Sequence, residues 1–160
     1  MEHDLIRHLG YANLDSRLKR ISDKMTHSLR AMYKNLDMDV EPSWYLVLFI
    51  LDSAPNSSVM DIAQQLKFTH QSIHVMTDKM IVNGYITKTK DERDKRKTVF
   101  NLTKKAKQNL PYFTEIWEAG KAATFELLSE DTSIMHHLET LESNLEQQSF
   151  GERIIEKLSQ

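Results

Sequence analysis

Four cations, Arg93, Lys95, Arg96 and Lys97, crowd the stretch Asp91-Glu92-Arg93-Asp94-Lys95-Arg96-Lys97. Guanidinium and ammonium groups packed this closely suit phosphate oxygens, which accept charge-assisted hydrogen bonds from both. The flanking segments, Tyr85 to Lys90 and Thr98 to Leu102, alternate and are rich in β-branched and aromatic residues, so they read as strands and place the cations at a hairpin tip, with Lys90 at its base. A second group stands a little upstream. Gln71, Val75 and Asp78 recur at helical spacing, flanked by Ser72, His74 and Lys79. Short polar and small apolar groups of this size fit the base edges of a DNA major groove.

The elements that must hold these groups are legible around them. Val59, Ile62, Ala63 and Leu66 lie on one face of a helix, and Ser58 followed three residues later by Asp61 gives it a capping-box-like start. A tight Lys67-Phe68 connection leads to Thr69, an N-cap for a second helix whose inward face is Ile73, Met76, Thr77 and Met80. Asn83-Gly84 ends that helix, since glycine accepts the left-handed conformation that closes helices.

The order helix, helix, strand, basic tip, strand, with Asp91-Glu92-Arg93-Asp94-Lys95-Arg96 at the tip and Leu102-Thr103 opening the next helix, resembles the MarR family of bacterial winged-helix regulators. The Asp-x-Arg-Asp-x-Arg wing is its most specific element. Gly10-Tyr11 through Asp23 and Gln148 to Arg153 resemble a subgroup sometimes fused to an acetyltransferase domain, which a chain ending at Gln160 is not expected to carry. The resemblance implies a mainly α fold with a small β-wing and about six helices: a single domain over 1–160, a winged helix-turn-helix lobe over 43–103, and dimerisation helices over 1–36 and 104–160. It implies a homodimeric regulator, a repressor of a near-palindromic operator on double-stranded DNA. The helix bearing Thr69, His70, Gln71, Ser72, His74, Val75 and Lys79 would enter the major groove. Lys90, Arg93, Lys95, Arg96 and Lys97 would follow the backbone and the minor groove, with Arg93 in that groove and Arg96 bracing the wing through Asp91 or Asp94. Two positions depart from the family pattern: Ala106 stands where glycine is usual, and the wing tip has no glycine.

Charge distribution agrees with this reading. Between Lys67 and Lys107 eleven Lys/Arg face four Asp/Glu, a net +7, which leaves −9 on the rest of a chain whose total is −2. A basic footprint on an otherwise acidic scaffold gives DNA a local field while discouraging phosphate elsewhere. At 160 residues and 40% hydrophobic content the chain can build a core. It shows no apolar run near the roughly 20 residues of a membrane span and no signal-peptide layout at Met1-Glu2-His3-Asp4, so a cytoplasmic protein without a membrane partner is expected. The absence of cysteine excludes disulfides, thiol-based oxidant sensing and Cys-ligated zinc.

Outside the lobe, Leu14, Leu18, Ile21, Met25 and Met32 predict one long helix from about Asp4 to Leu36 that packs on another helix. Asp37 to Pro42 reads as a connector. Trp44 to Leu51 is apolar on every side, a buried helix or a central strand, and the resemblance selects the helix. After Thr103, an N-cap, a helix runs to about Leu128 with Pro111 inside it. Another is expected from Ser129 through Ile134, Leu138, Leu141 and Leu145, and a last one from Phe150 to Leu158. These helices carry more apolar stripe than one small lobe can cover, and a second copy is the simplest cover.

Other chemistry finds little support. His70 and His74 stand four apart and His136-His137 are adjacent, yet neither pair gains a third zinc ligand at a recognised spacing, so no metal or other cofactor is expected. There is no Gly-rich phosphate loop, no Ser/His/Asp arrangement and no paired-carboxylate motif, so an enzyme is not expected. Trp44, Tyr45, Tyr11 and Trp117 are candidates for a small-molecule effector pocket, although core packing accounts for most such residues. Two function classes remain: the DNA-binding regulator, and a winged-helix protein-interaction module that has no need of clustered Arg93, Arg96 and Lys97.

Overall fold

The computed structural model describes residues 4–159. Among these described residues eight α-helices and one two-stranded antiparallel sheet follow one another: α1 (Leu5–His8), a 3-10 turn (Gly10–Asn13), α2 (Leu14–Asn35), α3 (Trp44–Ser53), α4 (Val59–Leu66), α5 (His70–Val82), β1 (Ile86–Lys90), β2 (Thr98–Leu102), α6 (Lys104–Leu127), α7 (Ser133–Gln147) and α8 (Phe150–Leu158). The described chain divides into two compact units at the Leu110–Pro111 bond.

The first unit holds the core. Val47, Leu48, Ile50 and Leu51 of α3, Ile62 and Ala63 of α4, Ile73 and Met80 of α5, and Ile86, Val99, Phe100 and Leu102 of the strands are all buried. The inward faces expected of α4 and α5 are the ones observed, with Val59, Leu66 and Met76 half-buried at their margins. Thr77, fully buried, donates its hydroxyl to the carbonyls of Ile73 and His74 at 2.9 and 3.1 Å, so it enters the core without an orphaned polar group. Ala106 is also fully buried.

Caps terminate these helices as the sequence suggests. At α4, Ser58 and Asp61 form a reciprocal capping box. At the end of α5, Gly84 adopts φ +72°, its N–H bonds the Ile81 carbonyl at 2.9 Å, and the Tyr85 N–H bonds the Met80 carbonyl at 2.9 Å. This pair of bonds is the Schellman motif, which occupies carbonyls that would otherwise be unpaired.

Three expectations are corrected. The helix predicted over Asp4 to Leu36 is broken: Gly10 sits at φ +59°, and a 3-10 turn separates the one-turn α1 from α2. Glycine pays no steric penalty there, whereas most residues would. The helix predicted from Ser129 begins instead at Ser133, because Ser129 and Glu130 both take positive φ (54° and 63°) in the turn that closes α6. Asp131 then accepts the Ser133 N–H at 2.8 Å. The third concerns α3, which is not covered on every side. Its Trp44, Val47, Leu48, Ile50 and Leu51 are buried, while Tyr45 and Phe49 are exposed in the protomer.

Candidate nucleic-acid interface

The outer face of α5 is set by its inner one. With Ile73, Thr77 and Met80 fully buried, the 3.6-residue period turns Gln71, Ser72, His74, Val75, Asp78 and Lys79 outward, and all of them are exposed, as is His70. Thr69 caps the helix, accepting the Ser72 N–H at 3.2 Å, and its hydroxyl pairs with the Ser72 hydroxyl at 2.8 Å. Ser72 therefore serves the cap as well as the surface. The turn between α4 and α5 places Lys67 at φ +51°, an uncommon conformation for a residue with a side chain. It lets the Phe68 N–H reach the Ala63 carbonyl at 3.1 Å.

β1 and β2 pair in register from Ile86 opposite Leu102 to Lys90 opposite Thr98, and Lys90 Nζ reaches the Thr98 hydroxyl at 3.3 Å. The tip turns without glycine, and no residue from Asp91 to Lys97 has a positive φ. Aspartates do the work instead. Asp91 Oδ1 accepts the N–H groups of Arg93 and Asp94 at 2.8 and 2.9 Å, and Asp94 Oδ1 accepts that of Arg96 at 3.0 Å. Side-chain oxygens that bond backbone N–H groups two or three residues on imitate a backbone turn. The N–H groups of Asp94 and Arg93 hold the Asp91 carboxyl below the ordinary carboxylate range.

The cations of the tip differ in how they are held. Arg93 and Lys95 are exposed, and the Arg93 guanidinium donates no hydrogen bond to another described residue. Arg96 pairs with Asp94 at 3.3 Å, one of the two acids anticipated for it, although its side chain is 94% exposed. Lys97 bonds Asp61 Oδ2 at 3.1 Å, the oxygen that also accepts the Ser58 N–H and hydroxyl at 2.8 and 2.7 Å. A residue of the basic run is thus a strut between the wing and the α4 cap.

Two further ties join the wing to the loop before α4. The Phe100 N–H bonds the Ser57 carbonyl at 2.9 Å, and Asn56 and Asn101 exchange hydrogen bonds, Asn56 N–H to Asn101 Oδ1 at 3.1 Å and Asn101 Nδ2 to Asn56 Oδ1 at 2.8 Å. Nothing periodic in the sequence marks these partners.

A strut and a phosphate ligand respond differently to salt. Lys97→Ala should leave the salt dependence of DNA binding unchanged and lower stability by at most about 1 kcal/mol, the ceiling for half-exposed pairs. A salt slope shallower by about one would show instead that Lys97 neutralises a phosphate. The Asp61 carboxyl lies below its ordinary value because the Ser58 N–H, the Ser58 hydroxyl and Lys97 together outweigh burial. Cap and strut therefore contribute their stability above the ordinary carboxylate pKa of about 4 and lose it as pH falls through the lowered value of the folded state.

Residues 38–97 match the MarR family model. Among solved structures the chain is similar to a MarR protein from Peptoclostridium difficile (TM-score 0.72, 21% identity, covering 94% of this chain and 98% of that one). It is also similar to a MarR/EmrR family transcriptional regulator from Acinetobacter sp. ADP1 (TM-score 0.71, 17% identity, 91% and 99%). The fold is the MarR-type winged helix. A third structure of this type, S. aureus MepR in complex with DNA, aligns with TM-score 0.68 at 18% identity over 86% of this chain and 98% of that one. No curated protein matches the chain by sequence.

Within the MarR-type frame α5 stands in the place of the helix-turn-helix's second helix and β1–β2 in that of the wing. His70 and His74 are exposed on α5, and no group of three or more His, Asp or Glu among the described residues is arranged to hold a metal ion. The four aromatics considered for an effector pocket do not share one environment. Trp44 is buried with its ring edge-on to Tyr85 at 5.7 Å, whereas Tyr11 is 96% exposed. No described helix is long and apolar enough to cross a membrane.

Proposed function

We propose that the chain is a MarR-family transcription regulator that binds double-stranded DNA as a homodimer, with α5 in the major groove and the wing in the minor groove. One observation carries this reading: the exposed face of α5 and the exposed Arg93 and Lys95 of the wing belong to the one unit whose sequence window is strongly basic. Gln71 and Ser72 read base edges, Val75 meets a thymine methyl, and His70, His74, Lys79 and Lys90 approach phosphates. Thr69 presents the helix N-terminus. Arg93 enters the minor groove, while Arg96 and Lys97 support the wing.

Exposed apolar faces support the second copy. Leu14, Ile21 and Met25 of α2, and Phe150, Ile154, Ile155 and Leu158 of α8, are exposed in the protomer, more apolar surface than water tolerates well. Two-fold pairing would set two α5 helices about one DNA turn apart, roughly 34 Å, and so favour a near-palindromic operator, while action as a repressor follows from the family resemblance alone. The resemblance of Gly10 to Asp23 and of Gln148 to Arg153 supports a relation to the fusion-associated subgroup. A small-molecule effector is compatible with the fold and has no assigned pocket.

The test is selection of bound duplex from a random pool, followed by affinities for operator and scrambled DNA. Gln71→Ala should relax preference at one or two positions per half-site, at about 1–3 kcal/mol for a good bidentate contact. Lys79→Ala should weaken all sequences alike. Equal losses on operator and scrambled DNA for Gln71→Ala would mean that another face of α5 meets the bases. No binding to any duplex at low salt would leave the protein-interaction module as the better reading.

A further inference from the structure

The C-terminal end of α5 is held by a polar cluster that the DNA-facing residues do not account for. Asp39, in the connector between α2 and α3, accepts a hydrogen bond from the Tyr85 hydroxyl on Oδ1 and pairs with Lys105 Nζ at 2.6 Å through Oδ2. Lys105 Nζ also donates to the Asn83 carbonyl at 2.9 Å and lies 4.3 Å above the Tyr85 ring. Thr103 donates its hydroxyl to the Gly84 carbonyl at 2.7 Å, and its N–H bonds the Tyr85 carbonyl at 3.0 Å. The carbonyls of Asn83, Gly84 and Tyr85, which directly follow α5, are thus held by Thr103 and Lys105 at the start of α6, with a cation on the C-cap carbonyl of Asn83, as a helix C-terminus favours. Tyr85, 2% exposed, rests its ring against Trp44 at the start of α3.

Asp39 joins these parts through its two carboxylate oxygens. Lys105 alone could swing between the Asn83 carbonyl and water, because a lysine stem is flexible and its ammonium strongly hydrated. Asp39 fixes the ammonium over the Tyr85 ring, and the Tyr85 hydroxyl fixes Asp39 in turn. Burial opposes ionisation of Asp39, but the bonds from Lys105 and Tyr85 outweigh it and keep its carboxyl below the ordinary value. The Tyr85 phenol is pushed well above its own, by burial first and by Asp39 next. Both groups hold the protonation states that this junction needs across the neutral range.

We propose that Asp39, acting through Tyr85 and Lys105, is a positioning residue for base reading: it sets the angle at which α5 leaves the core and so determines sequence discrimination without touching DNA. The inference rests on the DNA-binding function proposed above. Reading base edges demands side-chain placement within about 0.5 Å, which contacts behind the reading surface must supply. Phosphate contacts tolerate more, because Lys and Arg follow the backbone as flexible charges.

The experiment compares dissociation constants for the selected operator and for a scrambled duplex of equal length at one salt concentration, in the full chain. The variants are Asp39→Ala, Asp39→Asn and Tyr85→Phe, each with its melting curve. Asp39→Ala should lower the ratio of operator to scrambled affinity about tenfold, a typical reach for mutations that act at a distance. Its affinity for scrambled DNA should stay within about twofold of wild type. Asp39→Asn, which keeps an acceptor for Tyr85 and loses the charge, should fall between. Tyr85→Phe keeps the ring and carries the test if Asp39→Ala does not fold. An unchanged ratio in all folded variants overturns the proposal. So does a parallel fall of both affinities that tracks the folded fraction, which would make Asp39 merely structural. A wild type that cannot tell operator from scrambled duplex instead sinks the DNA-reading function, and the inference with it.

Discussion

Arg93→Ala should weaken binding to the selected operator by about tenfold, or some 1.4 kcal/mol, while the melting temperature stays within roughly 1 °C of wild type. The stability half follows from how the tip is built. The turn is closed by the Asp91 carboxylate on the backbone N–H groups of Arg93 and Asp94, so alanine retains both bonds, and the lost guanidinium donates no hydrogen bond to another described residue. The affinity half follows from electrostatics. A narrow A·T-rich minor groove concentrates negative potential, and an arginine inserted there gains energy without a base-specific hydrogen bond. Preference for A·T in the operator flanks should therefore shrink in this variant. Operator affinity equal to wild type would take the wing out of the DNA interface and favour the protein-interaction module.

The companion variant shows why geometry matters. The family resemblance implies that Arg96 braces the wing, and Arg96 does pair with Asp94. The pair is so exposed, however, that Arg96→Ala should cost at most about 1 kcal/mol, and an unmeasurable effect would not be unusual for such a pair. The brace proper is Asp91, whose carboxylate holds two backbone N–H groups.

Ile73→Ala should have the largest effect on stability, about 2–5 kcal/mol, because Ile73 is fully buried on the inner face of α5 and its truncation leaves a cavity there. At roughly 2–4 °C per kcal/mol for a chain of this size, the melting temperature should fall by 4 °C or more. Val75→Ala, two residues on and exposed, should stay within about 0.5 kcal/mol of wild type. The same pair should behave oppositely toward DNA: Val75→Ala loses a methyl contact in the folded protein, whereas Ile73→Ala loses binding only as its folded fraction declines. A reversed result, with Val75→Ala destabilised and Ile73→Ala as stable as wild type, would mean that α5 buries the other face.

The residue sequence by itself determined α4, α5 and the two strands, with the inner faces of both helices and the caps at Ser58–Asp61, Thr69 and Gly84. Those signals are local: apolar periods, cap residues a few positions from the groups they bond, and a glycine where the backbone must turn left-handed. The break at Gly10 was available to the same logic, since an isolated glycine weakens a helical pattern. The turn at Ser129 and Glu130 was not, because left-handed residues with side chains are unfavourable alone and give no sign in sequence.

Tertiary structure alone decided which charges are free. Arg93, Lys95, Arg96 and Lys97 stand side by side in the sequence, yet the fold brings Asp61 to Lys97 and leaves the Arg93 guanidinium without a hydrogen bond to another described residue. Asn56 with Asn101, and Asp39 with Tyr85 and Lys105, were likewise paired only by the fold. Polar partners far apart in the chain share no period and no propensity. Their pairing is fixed by how the apolar faces pack, and the apolar faces are what the sequence pattern encodes.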